Sequence, residues 1–207
     1  MEAIARAQAA IEWGTAGAAL PGESRSGDHY VAVPFSSGML LAVLDGIGHG
    51  KQAAAASRIA STILETHALD PVIALVQRCH QQLRETRGVV MSMASFNIRH
   101  GLMTWLGVGN VYGVLLRGFP TFPQVEESLL LRAGVVGAQL PPLQAAVLPV
   151  SPGDTVVFAT DGVESNFERT LAHNQNPQKA AEDILARHGK TIDDALVLVA
   201  RYLGNCR

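Results

Sequence analysis

The sequence is short of charge, of cysteine and of long uninterrupted apolar runs. Charged residues make up 16% of the 207 residues and hydrophobic ones 48%, whereas a typical soluble domain carries about 25% charge. That balance excludes a disordered or heavily solvated chain and leaves length for a substantial core. Lysine and arginine number 16 against 18 acidic residues, a net charge of −2. No basic field of the kind that nucleic-acid binding needs is present. The two cysteines, Cys79 and Cys206, form neither a metal-type pair nor a disulfide scaffold, as in a reducing compartment. Residues 133–153 carry no charge, but Pro141, Pro142, Pro149 and Pro152 interrupt them, so they do not read as a membrane span. Glu2, Arg6 and Glu12 rule out the apolar core of a signal peptide. The chain shows no internal repeat and no linker. The expectation is one domain over residues 1–207, cytoplasmic, with no nucleic-acid or membrane partner.

What the sequence does contain is concentrated in residues 39–50, MLLAVLDGIGHG. An apolar strand runs into Asp45, and glycines and a histidine follow before an alanine-rich helix. Glycine lets backbone and ligand approach closely at such a strand end. The pattern recurs where Thr155–Thr160 runs into Asp161-Gly162.

Strands are expected over 8–14, 28–33 and 39–44, with turn chemistry from Pro34 to Gly38. Residues 50–68 read as a helix with Ala53, Ala56, Ala60, Ile63, Leu64 and His67 on one face. Asp70-Pro71 suggests an N-cap and first residue for a second helix to about Arg87, with Cys79 on its apolar side. Strands follow at 89–98, 101–107, 111–117, 127–133, 145–150 and 154–160, a helix at 177–188 and a last strand at 195–201. This order argues for an α+β protein, with antiparallel sheets covered by helices.

A hairpin across Pro34–Gly38 would set Asp28 beside Asp45 at its open end. If the strands at 154–160 and 195–201 are antiparallel neighbours, Asp161 shares an edge with Asp193 and Asp194. Two carboxylates about 4 Å apart repel by roughly 1–4 kcal/mol at effective dielectrics of about 80 to 20. Divalent cations with hard oxygen ligands would remove that penalty. The alternative is that these aspartates are ordinary turn and cap residues.

The ordered elements Ser26-Gly27-Asp28-His29-Tyr30, Asp45-Gly46-Ile47-Gly48-His49-Gly50, Ala159-Thr160-Asp161-Gly162 and Asp193-Asp194 resemble the PP2C-like SpoIIE family of bacterial serine/threonine phosphatases. Within it the chain is most similar to the RsbX-type stressosome phosphatases, as a bare catalytic domain without a sensor region. The resemblance implies a four-layer α-β-β-α sandwich of two mainly antiparallel sheets flanked by helices. It also implies two divalent cations, Mn²⁺ or Mg²⁺. Asp45 would bridge them and the Gly46 carbonyl would bind one. Asp161 and Asp193 would bind the other, and Asp28 would act mainly through coordinated water. The implied catalytic set is Asp28, Asp45, Asp161 and Asp193. The implied substrates are phosphorylated STAS-domain stressosome scaffold proteins, whose dephosphorylation resets a stress signal. The chain departs from the pattern at Gly107-Val108-Gly109-Asn110, where relatives often carry Ala-Gly-His-Asn. It departs again at Leu196, where a threonine is usual.

Arg25 is a candidate bidentate phosphate ligand or a solvated loop residue. His49 could orient its loop, assist proton transfer or simply hydrogen-bond at the helix start. His67 and His80 fit helical packing positions. Asn110, after a glycine turn, suits either a left-handed backbone or substrate contact. Two rival readings exist. One is a catalytically inactive phosphatase-like binding module. The other is a nucleotide-binding protein, since Gly48–Ala53 superficially fits G-x-G-x-x-A and Gly50-Lys51 resembles a phosphate loop.

Overall fold

A computed structural model of the chain describes residues 2–118, 126–171 and 175–204; Cys206 lies outside them. The elements, in chain order, are α1 (Glu2–Ala9), β1 (Ile11–Ala18), β2 (Asp28–Phe35), β3 (Gly38–Gly46), α2 (Gly50–Thr66), α3 (Val72–Gln82), β4 (Val89–Asn97), β5 (Leu102–Val108), β6 (Tyr112–Leu116), β7 (Glu126–Ser128), β8 (Leu131–Arg132), β9 (Ala146–Pro149), β10 (Thr155–Ala159), α4 (Pro177–His188) and β11 (Ala195–Tyr202). They form two sheets, ordered β1-β11-β10-β6-β7 and β2-β3-β4-β5-β8, with β9 also pairing β5. All pairings are antiparallel except the short β5–β8 ladder.

The period-2 geometry of strands builds the layers. In β3, Met39, Leu41 and Val43 enter the core between the sheets, together with Val156, Phe158, Leu196 and Leu198. The alternate residues Leu40, Ala42 and Leu44 pack under Ala56, Ala60 and Leu64 of α2 and Leu75 and Cys79 of α3. On the other sheet, Val157, Ala159, Val197 and Val199 pack under Ala180, Ala181 and Ile184 of α4. The result is the four-layer α-β-β-α sandwich expected from the resemblance.

Several local expectations are corrected. α1 occupies residues read as the start of a strand, so β1 begins at Ile11 and continues to Ala18. The stretch 127–133 is two strands on different sheets: β7 pairs β6 and β8 pairs β5. Leu129, buried in the inter-sheet core, marks the crossing. Asp70 does not cap α3, whose N-cap is Pro71 without a side-chain bond. Asp70 instead accepts from Arg78 Nε at 3.2 Å. α3 stops at Gln82, short of Arg87, and Leu83 N–H closes its end on the Cys79 carbonyl. Pro34 lies inside β2 rather than in the turn; β2 is an edge strand, where proline is tolerated. The segment 48–53 belongs to no βαβ unit, because both neighbours of β3 are antiparallel. That removes the structural context of a dinucleotide site.

α4 approaches its sheet through Gly14, where an added Cβ would stand 2.3 Å from the Gln178 Cα. Gln178 fixes the contact from both sides, accepting from Thr15 N–H at 3.1 Å and donating to the Thr15 carbonyl at 2.9 Å. Gly14→Val should push α4 off β1 and destabilise the fold by about 1–3 kcal/mol, read as a lowered Tm. Retention of the wild-type Tm would show that α4 does not depend on this close approach.

Candidate active site

The alternation that builds the core also aims the acids. Met39, Leu41 and Val43 face the inter-sheet layer, so Asp45 continues that face at the end of β3. Asp28 is its register partner on β2 and therefore shares the face. Thr160 and Asp194 continue the same parity from Phe158 and Leu196. Asp161 and Asp193 stand one residue further out. One end of the sandwich thus collects carboxylates from both sheets.

Asp45, Asp161 and Asp193 line one cavity of about 270 Å³, with Gly48, His49 and Asn110 among their neighbours. Asp28 and Gly46 do not line it. Asp28 sits behind Asp45, where its Oδ2 accepts from Thr160 Oγ1 at 2.7 Å. The Thr160 hydroxyl in turn accepts from Leu196 N–H at 2.9 Å, so the threonine side chain ties both sheets together. Gly46 is buried against α2, and a Cβ there would lie 2.3 Å from the Ala53 carbonyl oxygen. Gly48 takes φ +86° in the following turn, a conformation glycine adopts without strain.

The electrostatics are unbalanced. Burial, then the neighbouring Asp45, pushes Asp28 up to about 8, partly offset by the Thr160 hydrogen bond. Burial, then Asp161 and Asp193, pushes Asp45 up to about 7. Among the described residues, no Arg, Lys or His makes an ion pair with Asp28, Asp45, Asp161 or Asp193. Asp154 is the contrast: it is more deeply buried than any of the four, but Arg117 Nη1 reaches it at 2.7 Å and two backbone amides donate to it.

Asp193 and Asp194 have separate roles. Asp194 is buried, and its carboxylate accepts from Leu20 N–H at 2.8 Å and Gly27 N–H at 2.7 Å. It pins both ends of the loop that leads into β2. Asp193 faces the cavity.

The donor set is carboxylate oxygen throughout, the chemistry that hard divalent cations prefer. Among the described residues, no three acidic, imidazole or thiol groups form a complete cage. Small cations such as Mg²⁺ use one or two carboxylates each and keep several waters, so an open cavity edged by aspartates fits them.

The remaining candidates fall as follows. Arg25 does not reach the acidic cavity; it lines a separate groove along α2. His49 is a cavity residue whose Nδ1 lies 2.9 Å from Glu23 Oε1. His80 packs as expected, its Nδ1 accepting from Gly137 N–H at 3.0 Å. Asn110 does not adopt a left-handed backbone; among the described non-glycine residues only Asn166 does. Asn110 Nδ2 donates to Asp161 Oδ2 at 2.8 Å. Sequence reasoning missed two supports: the Thr160 hydroxyl, and Lys190, whose Nζ donates to the Asp161 carbonyl at 2.6 Å. Thr160 was legible from its parity with Phe158, whereas nothing in the sequence marks Lys190.

Comparison with known proteins agrees with this geometry. The family described as Stage II sporulation protein E (SpoIIE) matches residues 36–203. The phosphoserine phosphatase RsbX of Bacillus subtilis (strain 168) is 30% identical over 94 residues, covering 45% of this chain and 47% of the relative. The aligned part therefore spans about half the length of that curated relative. A chain from structural work on the bacterial stressosome, a modular system adapted to control secondary messenger signaling, superposes with TM-score 0.85 at 29% identity, covering 92% of this chain and 99% of that one. RsbX in complex with magnesium shares the fold, with TM-score 0.83 at 20% identity, covering 93% of this chain and 95% of the other.

The raised carboxylates set the pH dependence of the metal-free protein. Between the unfolded value of 3.8 and folded values of about 7 and 8, the folded state holds more protons than the unfolded one. Stability therefore falls as pH rises through that window. Asp28→Asn should flatten this slope and raise the Tm in chelator at pH 8 by a few degrees. Thermal melts from pH 5 to 8 test this; a variant melting below wild type at pH 8 would contradict it.

Proposed function

The chain belongs to the SpoIIE family, and from that membership we propose that it is a metal-dependent protein serine/threonine phosphatase. The observation that carries this reading is the trio Asp45, Asp161 and Asp193 around one cavity, their carboxylates in no ion pair among the described residues. We assign its substrates to phosphoserine or phosphothreonine on STAS-domain stressosome scaffold proteins, so that the enzyme resets a bacterial stress signal. The likeness to RsbX and to the stressosome-related chain supports that assignment.

Asp45 would be shared between two divalent cations, Mn²⁺ or Mg²⁺, with the Gly46 carbonyl beside it. Asp161 and Asp193 would complete the set, and Asp28 would act from behind through water. Bound there, such ions supply Lewis acidity toward a phosphoryl group and lower the pKa of a water. The chain's own residues do the positioning. Thr160 holds the Asp28 carboxyl and Asn110 orients Asp161. Lys190 holds the Asp161 backbone, and Asp194 fixes the loop before Asp28. Among the described residues no thiol lines the cavity: Cys79 is buried under α2, and burial pushes it up to about 12. The phosphoryl group would therefore pass to water rather than to the protein.

Chelator should abolish phosphate release from a phosphoserine protein, and Mn²⁺ or Mg²⁺ should restore it. Full turnover by exhaustively stripped protein would refute the metal requirement. Asp45→Asn and Asp161→Asn should each lower turnover by orders of magnitude with the fold retained, checked by circular dichroism.

Cys79→Ser should keep near-normal activity, and rapid-quench experiments with labelled phosphoprotein should trap no covalent species. A kinetically competent phosphorylated enzyme would overturn direct transfer to water even if the phosphatase reading held.

A further inference from the structure

A second cavity, larger than the acidic one at about 610 Å³, runs along the outer side of α2 toward α3. Its floor is apolar: Ala54, Ala55, Ile59 and Ile63. Its walls carry Arg25, Lys51, Arg58, His67 and Arg78. The α2 members recur at positions 51, 54–55, 58–59 and 62–63, one face of a helix. From Lys51 to His67 the groove follows about 24 Å of helix at about 1.5 Å per residue.

Three observations decide what fits it. First, the lining contains no carboxylate, although the chain as a whole is net negative. Among the described residues, Arg25, Lys51 and Arg58 enter no ion pair; Arg78 and His67 share Asp70, at 3.2 and 4.0 Å. Second, the cations are strung along the groove around exposed apolar surface, with Ile59 39% exposed, rather than converging on one point. That arrangement matches an extended amphipathic segment better than a single small anion. Third, the groove and the acidic cavity share no lining residue but are neighbours along the chain: Lys51 follows His49, a cavity residue, by two positions. Arg25 precedes Asp28 by three.

We propose that this groove docks an acidic, amphipathic segment of the phosphoprotein substrate while its phosphoresidue occupies the acidic cavity. The inference rests on the phosphatase reading above and deepens it: affinity would come from a surface outside the catalytic machinery. It would also let an enzyme whose catalytic cavity is acidic hold an acidic protein, because the two charge signs are separated along one helix.

The test uses phosphoserine peptides that are identical around the phosphoserine, with tails of Glu and Leu or of Gln and Leu on either side. Wild type with Mn²⁺ should favour the acidic tail about tenfold in kcat/KM, through KM. The preference should fall with added salt, as for exposed charge pairs. Arg58→Glu with Arg78→Glu should erase the preference and leave p-nitrophenyl phosphate hydrolysis unchanged. Fluorescence anisotropy of the labelled acidic tail alone reads the groove independently of turnover, with tighter binding to wild type than to the double variant expected. No tail preference, a preference kept in the double variant, or a dimer that the double variant dissolves would each overturn the proposal. Loss of all hydrolysis in wild type, with tail binding intact, would instead strike the phosphatase reading.

Discussion

The structure is organised around one electrostatic constraint: Asp28 and Asp45 are register partners on adjacent antiparallel strands. Cross-strand partners share a face, with Cα atoms about 4.5–5.5 Å apart. Two ionised carboxylates about 5 Å apart repel by about 3 kcal/mol at an effective dielectric of about 20. The chain does not relieve this with an arginine, as it does at Asp154. It adds Asp161 and Asp193 from the second sheet instead. The protein thus holds a charge arrangement that its own residues do not neutralise, and the rigid strand registers prevent the acids from drifting apart.

Holding that arrangement requires the two sheets to stay fixed relative to one another at the acidic end. Thr160 bridges them through one hydroxyl, donating to Asp28 on one sheet and accepting from Leu196 on the other. Asp194 performs the complementary task on the loop side, satisfying Leu20 and Gly27 N–H. The Ser57 hydroxyl donates to the Gly27 carbonyl from α2. Adjacent aspartates in one short segment therefore divide the work. Asp194 is fully committed to backbone donors and Asp193 is left facing the cavity.

Much of this was legible because strand parity is a strict code. Once Met39–Leu44 is read as a buried strand, Asp45 must fall on a definite face. The hairpin to Asp28 then follows from a short turn. The helix at 177–188 was legible from its terminal chemistry: Asn176 caps it, accepting from Gln178 and Lys179 N–H, and Pro177 suits the first turn. What was hidden depended on tertiary partners. The extension of β1 beyond the expected 8–14 to Ala18 runs through Gly17, a poor strand former on its own; pairing with β11 makes it strand. The division of 127–133 between two sheets has no local signal, since both strands are only two or three residues long and no glycine or proline separates them. Asn110 invited a backbone explanation because glycine precedes it; only the fold brings it to Asp161.

The distribution of charge gives the sparse composition its meaning. With 16% charged residues, the chain has few ions to place, yet it gathers aspartates at one end of the sandwich and sets Arg25, Lys51, Arg58 and Arg78 along a groove beside α2. Neither cluster pairs with the other. Had the arginines been set among the aspartates, each carboxylate would have been stabilised in its ionised form. With them set outside the cavity, Asp45, Asp161 and Asp193 enter no ion pair among the described residues. This placement also leaves a positive strip along the outer side of α2. The same helix whose N-terminal turn borders the acidic cavity therefore separates two electrostatic environments, and its buried alanines hold that separation rigid against the sheet.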